Sequence, residues 1–332
     1  MSFRCTAGVR VEAFYVWKAF GAASCRFATR PVLRTNALRV GARPGHPPHA
    51  PLMGRAGSIY AIRIDRSRFR TYHPAAWLKA EGQFSAVPGK EHGLSIVVKD
   101  LCRNFGTLRA VADVSFEIPP RTIAGLIGPN GAGKSTILRI LSTFLRPASG
   151  SVAVDGIDAV VDPAGVRQAI GYLPENPPGY GDARIDEYLW FRAGLKGISR
   201  AARRTEIDRC LEACDLTKVR RRLIGRLSQG FRRRLGLADA LLGRPCVMIL
   251  DEPTIGLDPL QVRQTRELLI EAARESTILV STHILAEAQM LCERALVLVN
   301  GRLLSDVEMK HLSGSLEEHF VQTAAPVHRE AA

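Results

Sequence analysis

From Leu94 onward the chain alternates between two kinds of hydrophobic pattern. Short apolar runs come first: "LSIVVKD", then "VADVSFEI", in which polar and apolar positions alternate, then "TIAGLIG". Three more follow late in the chain: "VMIL" at 247–250, "TILVST" at 277–282 and "ALVLV" at 295–299. Between them lie stretches whose apolar residues return every three or four positions, as in "ILRILSTFL", "DEYLWFRAGL" and "EIDRCLEACDL". The first pattern predicts strands and the second amphipathic helices, and their alternation predicts an α/β domain on a largely parallel sheet. Residues from about 184 to 243 read almost wholly as helix and are rich in arginine, which predicts a helical insertion within the α/β core. No internal repeat is visible.

Residues 1–93 follow neither pattern. The stretch "GARPGHPPHAPLMG" at 41–54 is rich in Pro and Gly, and the first 58 residues hold one acidic residue, Glu12, against nine basic ones. An Arg-rich, acid-poor targeting segment, a disordered extension and translation from a start placed too far upstream all fit this composition. The split also explains the net charge of +14, since residues 1–93 carry +11 and residues 94–332 only +3. A folded part this close to neutral does not read as a nucleic-acid-binding surface. The seven cysteines contain no C-x-x-C pair. Cys210 and Cys214, four apart on an expected helix and without nearby histidines, read as reduced thiols rather than metal ligands. No run reaches the ~18–20 apolar residues that cross a bilayer.

Candidate chemistry sits at the ends of the expected strands. "GPNGAGKS", Gly128 to Ser135, matches G-x-x-x-x-G-K-[ST] between a strand and a helix. That layout lets backbone N–H groups wrap phosphates and points a helix N-terminus at them. Lys134 is placed to reach the β- and γ-phosphates, and the Ser135 hydroxyl to ligate magnesium. "VMILDE" ends a strand in two carboxylates, Asp251 to hold magnesium and Glu252 to orient or deprotonate a water. "LSQGF" at 227–231 has Ser and Gly opening a helix, a second anion site in a chain that already has one. The arginines that follow it, Arg232, Arg233 and Arg234, are expected on a solvated helix face.

At this point the chain resembles the ATP-binding subunits of ABC transporters over about residues 94–322. Seven features carry the resemblance in order: Phe105, the phosphate loop, "GYLPE" (171–175), "LSQGF", "VMILDE", "GLDP" (256–259) and "STH" (281–283). The wording "GYLPENPP" and "LSQGFRRRLGLADALL" is most similar to stand-alone subunits of bacterial exporters that pair with separate permease chains. The resemblance implies a P-loop NTPase core with a mixed, mainly parallel sheet, an antiparallel β subdomain and an α-helical subdomain inserted at about 176–243, with 323–332 as a short tail.

The resemblance also implies the site. ATP would lie on Gly128, Pro129, Asn130, Gly131, Ala132, Gly133, Lys134, Ser135 and Thr136, with adenine stacked on Phe105. Magnesium would be held by Ser135, Asp251 and Glu175, and catalysis would rest on Glu252, His283 and Lys134. Glu175 stands where most of the family has glutamine, and a carboxylate there implies stronger dependence of nucleotide binding on magnesium. Ser228 and Gly230 would reach the γ-phosphate held by a second copy, which explains two phosphate devices in one chain. Gln229 and Phe231 depart from the commoner family wording. Asp258 would join the subunit contact. The partners implied are a permease on a separate chain and a second ATP-binding subunit, with the protein peripheral on the cytoplasmic face of the cell membrane.

Two other classes compete: a soluble ABC ATPase acting on ribosomes or DNA, and a regulatory module that binds nucleotide without cleaving it. A single motif set with no heptad run counts against the first, and Glu252 with His283 counts against the second. Because every motif lies beyond residue 93, deleting residues 1–90 is expected to leave melting temperature and ATP turnover unchanged. Loss of either in the truncated protein would show that the segment packs on the core.

Overall fold

The computed structural model describes residues 2–4, 10–12, 95–177 and 179–330. The chain divides into two units, residues 1–80 and 81–332. In the first, the described residues form one antiparallel pair, β1 (Ser2–Arg4) with β2 (Arg10–Glu12). Apart from that pair, the reading of residues 1–93 as an extension lies outside the described residues.

The second unit holds two sheets. One is antiparallel, in the order β4 (Leu108–Ile118), β3 (Ile96–Phe105), β6 (Ser149–Val154), β7 (Ile157–Asp158). The other has six strands in the order β12 (Arg302–Glu308), β11 (Arg294–Val299), β5 (Ile123–Ile127), β10 (Thr277–Thr282), β9 (Val247–Asp251), β8 (Ile170–Leu173). Five of its strands run parallel, and only β12 pairs antiparallel. These are the mixed core sheet and antiparallel subdomain that the resemblance implies.

The continuous apolar runs of the core strands follow from burial on both faces. Along β9, Val247 and Ile249 face one hydrophobic cluster while Met248 and Leu250 face the other. The strands β5 and β10 divide their residues between the two clusters in the same way. Helix α1 (Lys134–Leu141) buries Ile137, Leu138, Ile140 and Leu141 in the cluster shared with the antiparallel strands. The opposite cluster receives the inserted helices α3 (Ile185–Leu195), α4 (Arg203–Ala213) and α5 (Gln229–Leu241); α2 (Pro163–Ala169) precedes β8. Two helices follow β9 and β10, α6 (Pro259–Ala272) and α7 (Leu285–Leu291). The last, α8 (Leu316–Glu330), runs through the expected tail boundary at 322 without a break and buries Ala324 against Val297 and Val299.

The insertion is less helical than its pattern predicts. Between α4 and α5 the chain makes only two 3-10 turns, Thr217–Val219 and Ile224–Arg226. Asp215, at φ +51°, ends the preceding helical course. Across the insertion, Asp239 of α5 ties the helices together. It accepts from Tyr188 Oη at 3.1 Å and from Arg192 Nε at 2.8 Å, both on α3. Lys196, just past α3, donates to the carbonyl of Ile170 at the start of β8.

Burial in these packed layers sets the alkaline behaviour. It pushes the Cys210 and Cys292 thiols up to about 12, raises Cys214 further, and lowers Lys196 to about 8. A raised thiol favours the folded state until pH passes its ordinary value near 9, after which that stability is lost as the unfolded chain ionises. Lys196 works the other way, because the folded chain sheds its proton between about 8 and 10.5 while the unfolded chain keeps it. Three raised thiols outweigh the two lowered amines, Lys196 and Lys134, so the urea midpoint is expected to fall from pH 9 to 10.5, more steeply in Lys196→Met. A midpoint that rises over that window would overturn this balance.

Candidate active site

The phosphate loop is a turn that only its own neighbours allow. It leaves β5 at Gly128 and enters α1 through Gly133, whose φ of +104° is left-handed. A Cβ on Gly133 would sit 2.5 Å from the carbonyl oxygen of Ala110 on β4, so both conformation and space exclude a side chain. A second support is the hairpin turn between β11 and β12. Asn300 and Gly301 have φ of +49° and +76°, the type I′ geometry that Asn-Gly favours. Gly301 N donates to Ala132 O at 3.0 Å, and Gly301 O accepts from Ala112 N at 2.8 Å. The Asn-Gly pair between two apolar runs was the available signal for this turn, and the motif reading passed over it.

Lys134 is buried, and its ammonium donates to the carbonyls of Gly128 at 2.7 Å and Pro129 at 3.1 Å. Burial lowers its pKa, and the carboxylates of Glu252, Asp251 and Glu175 act against that shift. Ser135 Oγ donates to Asp251 Oδ1 at 3.3 Å, and Ser281 Oγ donates to the same oxygen. Asp251 closes β9 and Ser281 lies opposite it on β10, so the pairing register itself places this cluster.

Glu252 follows Asp251 at φ +52°, an unfavourable conformation for a residue with a Cβ, at a cost of about 1–3 kcal/mol. Its N–H is held by Ser281, through the carbonyl at 3.2 Å and the hydroxyl at 3.1 Å. The side chain is buried, with Oε1 2.8 Å from His283 Nδ1 and Oε2 without a partner. An orphaned buried carboxylate oxygen marks a position where a water or ligand donor belongs.

Lys134, Ser135, Glu252 and His283 share one cavity of about 740 Å³, while Asp251 is buried behind Ser135 and does not line it. Its floor runs from Asn130 to Thr136, and Glu175, Glu252 and His283 stand on its walls. Gly128 and Pro129 lie behind this floor, against Lys134 Nζ. At the far end are Phe105, Leu108 and Arg109, with the Arg103 guanidinium 4.9 Å from the centre of the Phe105 ring. Phe105 is 44 % exposed, so its ring remains available to a planar ligand. Leu108, Arg109 and Ala110 escaped the sequence reading because a β strand edge carries no motif.

Ser228 and Gly230 do not line this cavity. Ser228 caps α5, its Oγ accepting from Phe231 N at 3.4 Å, which leaves the hydroxyl hydrogen free to donate. Gly230 packs on the loop before α6, where a Cβ would meet Gln261 Oε1 at 3.0 Å. Asp258 caps α6 by accepting from Gln261 N at 2.9 Å. The arginine run departs from its expected place. Only Arg232 faces solvent, while Arg233 and Arg234 are buried. Arg234 Nη1 pairs with Asp215 Oδ2 at 2.8 Å, and its guanidinium lies 4.5 Å from the centre of the Phe231 ring. One face of α5 must pack against β8, and three successive helical positions cannot all avoid it.

A phosphate loop at the end of one parallel strand, with carboxylates at the end of another, defines a nucleotide-binding P-loop domain. Comparison with known proteins places it further. Residues 111–255 match the family described as ABC transporter. The chain is 35 % identical over 215 residues to the ABC transporter ATP-binding protein YxlF of Bacillus subtilis, covering 65 % of this chain and 71 % of that one. It is 34 % identical over 223 residues to the bacitracin transport ATP-binding protein BcrA of Bacillus licheniformis, covering 66 % and 72 %. Its fold superposes with a TM-score of 0.65 on a solved ATP-binding subunit of an ABC transporter, at 29 % identity, covering 70 % of this chain and all of that one. The chain belongs to the ABC transporter ATP-binding proteins, a family of ATP-binding ATPase subunits.

Gly133→Ala is expected to abolish ATP binding while the core stays folded, because the left-handed φ lies in the loop and the clash meets a single carbonyl, that of Ala110 on β4. Calorimetric titration with ATP, alongside a melting curve, checks this. Wild-type affinity in that variant would show that the loop has another conformation available.

Proposed function

We propose that the chain hydrolyses ATP and, by closing head to tail on a second copy, drives a permease carried on a separate chain. The observation that supports this reading best is the division of the two phosphate devices. Lys134, Ser135, Glu252 and His283 converge on one cavity, and Ser228 lies outside it with an unspent donor at a helix N-terminus. A second copy facing the cavity would bring its Ser228 and Gly230 N–H to the exposed end of the triphosphate, making nucleotide part of the interface. Binding would then favour the closed pair and cleavage would release it.

Within the site, Lys134 exchanges two loop carbonyls for phosphate oxygens, which carry full charge and bind it more strongly. Ser135 and Asp251, 3.3 Å apart, form an oxygen donor pair suited to magnesium, with Glu175 across the cavity. Magnesium, when bound there, supplies positive charge to the phosphates. Glu252 would accept the proton of a water whose oxygen bonds to the γ-phosphorus as the bond to the β–γ bridging oxygen breaks and ADP leaves, its buried Oε2 turning toward the cavity to do so. His283 has a more conditional part. With Glu252 ionised, the Nδ1 that meets it carries the hydrogen, so a neutral ring presents only an acceptor at Nε2. A phosphate contact from His283 therefore requires a second proton on the ring.

Export is read as the direction of transport from the wording "GYLPENPP" and "LSQGFRRRLGLADALL", which resembles that of exporter subunits. Among the described residues no helix is long and apolar enough to cross a membrane. On this reading the protein sits peripherally, on the cytoplasmic face of the membrane that holds its permease.

The test separates binding from cleavage. Lys134→Ala is expected to lose ATP affinity by tenfold or more, the order of a charge-assisted contact of about 1.5–3 kcal/mol. Glu252→Gln should keep ATP binding, lose turnover by at least 100-fold and elute as a dimer with Mg-ATP in size-exclusion chromatography. A Glu252→Gln protein with wild-type turnover would remove the assigned base, and one that stays monomeric with bound ATP would remove the dimer.

A further inference from the structure

Arg233 occupies a position that packing alone does not explain. It is 3 % exposed, on the first turns of α5, five residues after the cap Ser228. Among the described residues it forms no salt bridge. Its Nη1 instead donates to two backbone carbonyls, Pro174 O at 3.1 Å and Asp251 O at 3.3 Å. These carbonyls belong to the residues immediately before Glu175 and Glu252. One guanidinium thus joins three segments: the helix that carries Ser228, the loop that carries Glu175 and the strand end that carries Glu252.

The rest of α5 makes this joint stiff. Gly236 lies so close to Leu173 and Pro177 that a Cβ there would meet them at 2.5 and 2.9 Å, and Gly171 of β8 sits against the carbonyl of Ala240. Gln229 packs on Gly256. The helix is seated along β8 and the loop after it, so displacement of its N-terminus cannot be absorbed by loose contacts. From Ser228 to Arg233 is roughly 7.5 Å of helix at about 1.5 Å per residue. Burial lowers the Arg233 pKa, while the charges of Asp251, Glu175 and Glu252 favour its cationic form. A buried cation beside three carboxylates strengthens its hold on the carbonyl dipoles next to two of them.

We infer that Arg233 is a positioning residue, which couples the contact of Ser228 with a partner's nucleotide to the placement of Glu175 and Glu252 in its own site. The inference rests on the head-to-tail reading proposed above. It assigns Arg233 no contact with substrate. Its removal should therefore leave ATP binding by the monomer intact and disturb the step that depends on the position of Glu252.

The experiment compares Arg233→Met, Arg233→Gln and Arg233→Lys in the full chain. Calorimetric Mg-ATP affinity, kcat, KM and melting temperature are measured for each. The expected result is a kcat at least tenfold below wild type in the Met and Gln variants, with KM and ATP affinity within twofold. Lys keeps the charge and can still donate to a carbonyl, so it should recover several-fold of the lost kcat. If Met fails to fold, Gln against Lys decides the matter at equal melting temperature. Turnover within twofold of wild type in a folded Met or Gln variant overturns the inference alone. Parallel loss of affinity and kcat overturns it too, because that is the signature of a damaged fold. A wild type that binds ATP without turning it over overturns the functional reading and the inference together.

Discussion

Parallel strands end together, and the whole site depends on that. The strands β5, β9 and β10 lie side by side in one direction, so the residues at and just past their ends meet at a single edge. The phosphate loop, Asp251 with Glu252, and His283 are each such residues. Chain separations of 30 and 155 positions collapse to ladder distance because the register aligns Asp251 with Ser281 and Ile127 with Thr282. The two hydrophobic clusters, one on each face, fix that register, since a slip of one residue would exchange every inward side chain.

The same edge concentrates charge. Lys134 and Arg233 are buried beside Asp251 and Glu252, with Glu175 facing them from the cavity wall. Neither cation forms a salt bridge among the described residues; both donate to backbone carbonyls instead. That arrangement leaves carboxylate oxygen unpaired, most visibly the buried Glu252 Oε2. A site closed by direct ion pairs would be more stable alone and less receptive to phosphate and metal. The left-handed backbone at Glu252 belongs to the same compromise, a local cost accepted where the side chain must face the cavity.

The fold was largely legible along the chain. Double-sided burial writes itself as unbroken apolar runs, and "TIAGLIG", "VMIL", "TILVST" and "ALVLV" each became a core strand. The phosphate loop was equally plain, because glycines at its special backbone positions and Lys-Ser at the helix entry are needed in fixed order. The irregular stretch between α4 and α5 was not, since its apolar residues keep a helix-like spacing of three and four while the chain makes only two three-residue 3-10 turns there. The strand edge at the Phe105 end of the cavity was silent for a different reason. Leu108, Arg109 and Ala110 serve by where β4 passes, not by what they are.

The arginine run marks the boundary between the two kinds of knowledge. Sequence alone determined that three guanidinium groups follow Ser228 on a helix, with charge enough for a solvated face. Only the tertiary structure decided that two of them turn inward, Arg234 to Asp215 and Arg233 to the carbonyls ahead of Glu175 and Glu252. The reason is physical. Local sequence sets backbone conformation and periodicity, whereas the cost of burying a charge depends on which dipoles and carboxylates the other strands bring to it. That sum is made across the sheet edge, from residues 174, 215 and 251, and no window along the chain contains its terms.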